Sequence, residues 1–146
     1  FIVQHSIHNG RKTCQEFLDT GLMAFLTKWH TPEQIETGAM SGAFFETFVF
    51  CEILKSFYNV GIDTKSYLYF YRDKDDNEID FIINYNGQLH PIEVKKKSNP
   101  DLDDIRAFRF TENNETYKRS AGAVICTNDM VVPLSEQDSI VPFYYI

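Results

Sequence analysis

Hydrophobic and polar positions alternate most cleanly between Glu78 and Lys95. Ile79, Phe81 and Ile83, then Ile92 and Val94, take every second place, with Asp80, Glu93 and Lys95 set between them. A period of two predicts two half-buried strands. Asn86-Gly87 between them predicts a two-residue type I′ hairpin, because both positions tolerate positive φ. That turn sets a register of Tyr85 with Gln88 and Asn84 with Leu89, running on to Asp80 opposite Glu93. Ile79, Phe81, Ile83, Ile92 and Val94 then share a core face, and Asp80, Glu93 and Lys95 share the other.

Around this hairpin the pattern shifts to helical spacing. Phe44, Phe45, Phe48, Val49, Leu54 and Phe57 give a broad apolar face from Ser41 to about Tyr58, with Ser41 as the expected N-cap. Upstream, Phe17 to Leu26 reads as a short strand or turn leading into a helix capped by Asp19 or Thr20, and Thr31-Pro32-Glu33 starts another short helix. Phe1 to Lys12 are weakly patterned and read as extended or partly disordered, with poor order expected as far as residue 16. Tyr67 to Tyr71 alternate as a strand, and Asp73 to Asn77 form a turn. Ser98-Asn99-Pro100-Asp101 opens a helix carrying Leu102, Ile105 and Phe108. Ala121 to Cys126 reads as a buried strand and Val141 to Ile146 as a last one. The order helix, three strands, helix, strand gives an α/β class with a mixed central sheet flanked by helices.

Composition narrows the function. At 146 residues with 43% hydrophobic content, residues 1–146 are expected to form one globular domain. The net charge of −7 repels nucleic acid at long range, so binding of DNA or RNA would need a local basic surface. Cys14, Cys51 and Cys126 are isolated, which disfavours structural zinc and fits a reducing, cytoplasmic setting. Neither an export signal nor a membrane-length apolar run appears. The chain opens at Phe1, so it reads as the tail of a longer protein. The oligomeric state is left open, a homo-oligomer included.

The chemistry concentrates on the polar side of the hairpin. Two carboxylates beside an ammonium suit a hard cation: Mg²⁺, with Mn²⁺ as the alternative, takes one or two carboxylates and fills its shell with water and substrate phosphate. Asp80 and Glu93 are the expected ligands, with the Val94 carbonyl as a third. Lys95 is placed to assist the hydrolytic water or to neutralise charge growing on the phosphorus. The competing reading of the same spacing is a solvated face with an ordinary ion pair, which is worth little energetically. Glu46 sits between Phe45 and Phe48, where a charged carboxylate is costly unless something positive meets it; Glu52, six residues on, reads as structural or surface. Arg72, Lys96 and Lys97 are candidates for nucleic-acid contact, against pairing of Arg72 with Asp73 or Asp75 and a solvated strand end at Lys96 and Lys97. Arg106, Arg109, Lys118 and Arg119 form a second basic strip that reads more simply as a solvated face. Asp73 to Glu78 fails as a calcium loop because Glu78 stands where glycine is required. The histidines lack metalloprotease spacing, and with no P-loop the segment has no nucleotide site of its own. Asn114-Glu115-Thr116 is a sequon that a cytoplasmic chain would leave idle.

Asp80 followed by Glu93-Val94-Lys95 resembles the D…(D/E)-x-K signature of restriction-endonuclease-like nucleases, with Ile79 where many of them have proline. More narrowly, the chain resembles the DUF4143 domain found C-terminal to an AAA-type P-loop ATPase domain in prokaryotic proteins. Asp19-Thr20-Gly21-Leu22, Gly42 to Val49, Tyr69 to Asp73, Glu78 to Phe81, Pro91 to Lys95 and Val141 to Tyr144 carry that likeness across nearly the whole chain. The resemblance implies a restriction-endonuclease-like fold and a helix acid, Glu46, beside the metal. It also implies an upstream ATPase part of the same polypeptide as partner. The expected activity is Mg²⁺-dependent phosphodiester hydrolysis in DNA or RNA. The alternative is a catalytically inactive module of the same fold that binds nucleic acid or protein for the ATPase.

Overall fold

The computed structural model describes residues 2–5, 14–17, 19–29, 31–112 and 116–146. Strands β1 (Ile2–His5) and β2 (Cys14–Phe17) pair antiparallel as a separate two-stranded sheet. The remaining residues of the expected weakly ordered start, and Asn114 and Glu115 of the sequon, lie outside the described residues. Three helices follow: α1 (Thr20–Thr27), α2 (Pro32–Thr37) and α3 (Ser41–Asn59). Asp19 caps α1 by accepting the Leu22 N–H at 2.9 Å. Thr31 caps α2 in a reciprocal box with Gln34, and Pro32 occupies the first turn, where its missing N–H costs nothing.

Helix α3 starts differently from expectation. Its N-cap is Met40, which gives no side-chain bond, and Ser41 is already helical. The chain turns at Gly38, whose carbonyl accepts the Ser41 N–H at 3.0 Å, so the helix is entered from a turn and not from the extended backbone a serine cap needs.

The main sheet runs β3 (Leu68–Arg72), β4 (Glu78–Tyr85), β5 (Gln88–Lys95), β7 (Gly122–Cys126), β9 (Asp138–Pro142) and β8 (Val132–Pro133), with β6 (Lys118–Arg119) also paired to β5. Strands β3, β4 and β5 are antiparallel, β5, β7 and β9 are parallel, and β8 closes the edge antiparallel. The class is therefore α/β with a mixed seven-stranded sheet. Asn86 and Gly87 both have positive φ, 51° and 74°, as a type I′ turn requires. Among the described residues no helix is long and apolar enough to cross a membrane.

Each face of the sheet carries its own core. Helix α3 covers one, where Val49, Phe50, Ile53 and Leu54 meet Leu68, Phe81, Ile92, Val94 and Ile125. Phe50 and Phe81 stack at 5.4 Å between centroids. The opposite core gathers Ile79, Ile82, Leu89 and Val124 under Ile105, Ala107 and Phe108. Those last three belong to the expected helix after Asp101, which runs over Leu102–Thr111 as a 3₁₀ segment. Ile105, Phe108 and Thr111 are all buried at intervals of three, which suits three residues per turn, while Leu102 is exposed. The final strand also ends early. Pro142 cannot donate to a ladder, and the chain leaves the sheet as a 3₁₀ turn over Phe143–Tyr145.

A β-bulge in β4 positions the site. Ile79 was expected on the face of Phe81, yet it packs with Ile82 on the other side. The β3–β4 pairing explains this: Tyr69 faces Ile82 and Tyr71 faces Ile79, so Asp80 and Phe81 together oppose Phe70 as a β-bulge. The extra residue inverts the alternation and re-aims the side chain at Asp80.

Gly122 on β7 is set where nothing larger fits. A Cβ there would lie 2.5 Å from Asp138 Oδ1 and 2.8 Å from the Phe108 ring. Gly122→Ala is expected to cost about 2 kcal/mol, as overpacking of a filled core does. A urea midpoint unchanged from wild type would contradict that.

Candidate functional site

The bulge places Asp80 at the mouth of a cavity of about 500 Å³ together with Glu93, Lys95 and Glu46. The ladder between β4 and β5 stops at Phe81–Ile92, so the expected face-to-face pairing of Asp80 with Glu93 does not form as a ladder pair. Instead the Asp80 side chain takes over a backbone bond, its Oδ2 accepting the Val94 N–H at 2.8 Å. Val94 thus holds Asp80 through its amide. Its own side chain faces α3, and its carbonyl lies on the strand paired to β7.

Glu93 and Lys95 stand two residues apart at the C-terminal end of β5. Register with Val124 puts Glu93 on the side of the 3₁₀ segment. Its side chain is only 8% exposed, and Oε1 accepts from Lys95 Nζ at 2.5 Å. Oε2 is buried with no hydrogen-bond partner. A buried carboxylate oxygen without a donor is costly, and such an atom in an open polar cavity points to an absent counter-group.

The titration behaviour follows from that geometry. Burial, helped by the charge of Asp80, pushes Glu93 up to about 8, against the opposing pull of Lys95. Burial likewise raises Asp80, opposed by the Val94 N–H and by Lys95. For Lys95, burial acts to lower the value, but Glu93, Asp80 and Glu46 together outweigh it and hold the ammonium above its ordinary range. Lys95 is therefore a fixed positive charge at neutral pH, not a base. Left alone, both acids hold their protons more tightly than free carboxyls do, because the site is poorly solvated and the two charges oppose each other.

The donor set fits a hard divalent cation with conditions. Among the described residues no three His, Cys, Asp or Glu side chains converge closely enough to hold a metal unaided. The cation would thus take Asp80 and Glu93 and complete its shell with water and substrate oxygens, the usual pattern for Mg²⁺. Glu46 lines the same cavity and is felt electrostatically by Lys95, which suits a bond through water better than a direct one.

The rim differs from what the basic residues of the sequence suggested. The cavity is lined by seven acids, Asp76, Glu78, Asp103 and Asp104 joining the three already named, and by only two bases, Lys95 and Arg106. Arg72, Lys96 and Lys97 are not in the lining. Arg72 bonds Asp76 at 3.0 Å and lies 3.6 Å from Glu78. Lys97 bonds Asp104 at 2.6 Å and lies 3.5 Å from Asp101. Lys96 donates to the Glu36 carbonyl beside a separate apolar cavity between α1, α2 and α3. Arg109 stacks over Phe110, and Arg119 is committed to Asp138. Glu52 pairs with Lys55 at 2.6 Å on α3. Arg106 stands apart: among the described residues it is the cavity base with no ion pair or hydrogen bond, and nothing in the sequence marks it beyond its charge.

A family model described as "Domain of unknown function (DUF4143)" matches residues 41–146, from the start of α3 to the end of the chain. No curated protein and no solved structure matches.

Proposed function

This chain belongs to the DUF4143 family, and on that premise we propose that it is a nuclease-like module hydrolysing phosphodiester bonds of DNA or RNA with Mg²⁺. In the whole protein it would act as the C-terminal part of an AAA-type ATPase, whose ATP-driven remodelling would deliver the substrate. The observation that carries the reading is the buried, donorless Oε2 of Glu93 beside Asp80 in an open polar cavity. Asp80 and Glu93 would hold the cation. When bound, it supplies Lewis-acid stabilisation and a more acidic water.

The chain's own residues supply the rest. The oxygen of a water attacks phosphorus, and the P–O bond to the leaving oxygen breaks. Lys95, kept protonated by three carboxylates, stabilises the charge that grows on the phosphoryl oxygens. The Val94 amide fixes Asp80, so its carboxylate is pre-oriented and need not reorganise. Glu46 orients the attacking water and accepts its proton.

In a Mg²⁺-dependent cleavage assay on plasmid DNA and on RNA, Lys95→Ala is expected to lose about 10²- to 10³-fold in rate, the usual size for one pre-organised charge. Asp80→Asn is expected to lose the Mg²⁺ dependence as well. Equal rates for wild type and both variants would overturn the reading.

A second reading is supported by the acid-rich rim. Seven carboxylates around the cavity disfavour a polyanion approaching without cations. On that reading the module binds protein or nucleic acid for the ATPase without cutting. It predicts cation binding at Asp80 and Glu93 with no cleavage of either nucleic acid.

A further inference from the structure

Resting on the hydrolytic reading above, we propose that Arg106 is the phosphate anchor of this cleft and that its substrate is a single-stranded nucleic acid, not a duplex. Arg106 projects from the 3₁₀ segment into the cavity that holds Asp80, Glu93 and Lys95. It is exposed, and it makes neither an ion pair nor a hydrogen bond among the described residues, although Asp103 and Asp104 are its neighbours in the lining. The other bases beside the cavity are held: Lys95 by Glu93, Arg72 by Asp76 and Glu78, Lys97 by Asp104 and Asp101. An unpaired guanidinium among carboxylates is a group kept available, and its planar fork matches a phosphate through two parallel bonds.

The balance of charge around the cavity sets the substrate class. Duplex binding rests on many phosphate contacts, about six to ten in typical cases, because the duplex presents a charge every ~1.7 Å. This cleft offers one free guanidinium among its described residues and a rim of acids that would repel the flanking phosphates of a stiff double helix. A single strand can bend so that one phosphate meets Arg106 while the backbone enters the cavity that Asp80 and Glu93 also line. Its remaining charges then swing away from Asp76, Glu78 and Asp103. The cavity of about 500 Å³ is of the size that takes a small ligand or one nucleotide unit, not a helical groove.

The test is fluorescence anisotropy of a labelled single-stranded oligothymidylate and of the same strand in duplex form. Binding is measured in Ca²⁺, another hard oxygen-seeking cation, to wild type, Arg106→Ala and Arg106→Lys. Wild type is expected to bind the single strand more tightly than the duplex. Arg106→Ala is expected to weaken single-strand binding about ten- to a hundredfold, with partial recovery in Arg106→Lys. It should also reduce the slope of log affinity against log salt by about 0.7, as loss of one single-strand phosphate contact does. In cleavage, Arg106→Ala should raise KM more than it lowers kcat. Because the side chain is exposed, circular dichroism should report an unchanged fold. Unaltered affinity and salt slope in Arg106→Ala, equal or tighter duplex binding by wild type, or no single-strand binding at all would each overturn the proposal. If binding follows Arg106 while Mg²⁺ produces no cleavage, the anchor stands and the hydrolytic reading falls.

Discussion

As the pH rises from 4.5 to about 8, the metal-free chain is expected to lose stability, and Mg²⁺ is expected to restore it. The sign follows from which state holds the proton. Unfolded, Glu93 gives up its proton near 4.5; folded, burial and Asp80 keep the proton on until about 8. Within that window the native state binds more protons, so the contribution is complete below 4.5 and disappears as the pH climbs through the folded value. Asp80, also raised, acts in the same direction. The combined loss is on the order of a few kcal/mol. A divalent cation reverses it by meeting both ionised carboxylates; at a hundred times its dissociation constant it adds about 2.7 kcal/mol. Thermal unfolding followed by circular dichroism, across this pH range with and without Mg²⁺, reads both effects. Glu93→Gln should flatten the metal-free profile and remove most of the Mg²⁺ shift. A wild-type profile that is already flat, and that Mg²⁺ does not move, would contradict both the burial argument and the proposed ligand pair.

Asp138→Ala is expected to destabilise the fold by about 3–5 kcal/mol, the usual consequence of removing one partner from a buried ion pair. Asp138 is 4% exposed and lies at the start of β9. It accepts from Arg119 Nη2 at 2.6 Å, from the Gly122 N–H at 3.1 Å and from Ser135 Oγ at 2.8 Å. Arg119 is held over the Phe108 ring at 5.9 Å, and its Nε is already buried without a partner. Deleting the carboxylate would leave the largely buried guanidinium, among the described residues, with only Gln137 and a 3.9 Å contact to Glu112, and would remove the side-chain bond to the Gly122 N–H. Combining Asp138→Ala with Arg119→Met should recover part of the loss, because the poorly compensated buried charge goes too. Urea unfolding of the two variants checks this; a double variant no more stable than the single one would mean that the hydrogen bonds, not the charge, carry the effect.

The acid pair and its lysine were legible because strand alternation and an Asn-Gly turn are local rules. The position of Asp80 was not. Its side chain is turned by a bulge that exists only because β3 pairs with β4 out of step, and nothing between Glu78 and Tyr85 announces an extra residue. The cap at Asp19 was one of two readable options, whereas the serine cap of α3 failed because the turn at Gly38 decides how the chain enters. For Arg72 the sequence offered Asp73 or Asp75 as partners, and Lys97 read equally as a solvated strand end. Folding brought Glu78 to the one and Asp104 to the other. Arg106 carried no local mark, since being unpaired is a property of the whole neighbourhood.

By itself, the sequence determined the class of fold, the hairpin, and which side chains can act as hard ligands or as a fixed positive charge. These depend on periods of two and on residues a few places apart. Only the tertiary structure decided that Asp80 leaves the ladder to bond Val94, that Glu93 keeps one oxygen without a donor, and that the rim of the cavity is acidic. Such properties depend on desolvation and charge summed over groups from α3, the β3–β4 turn, β5 and the 3₁₀ segment, and only packing brings these together.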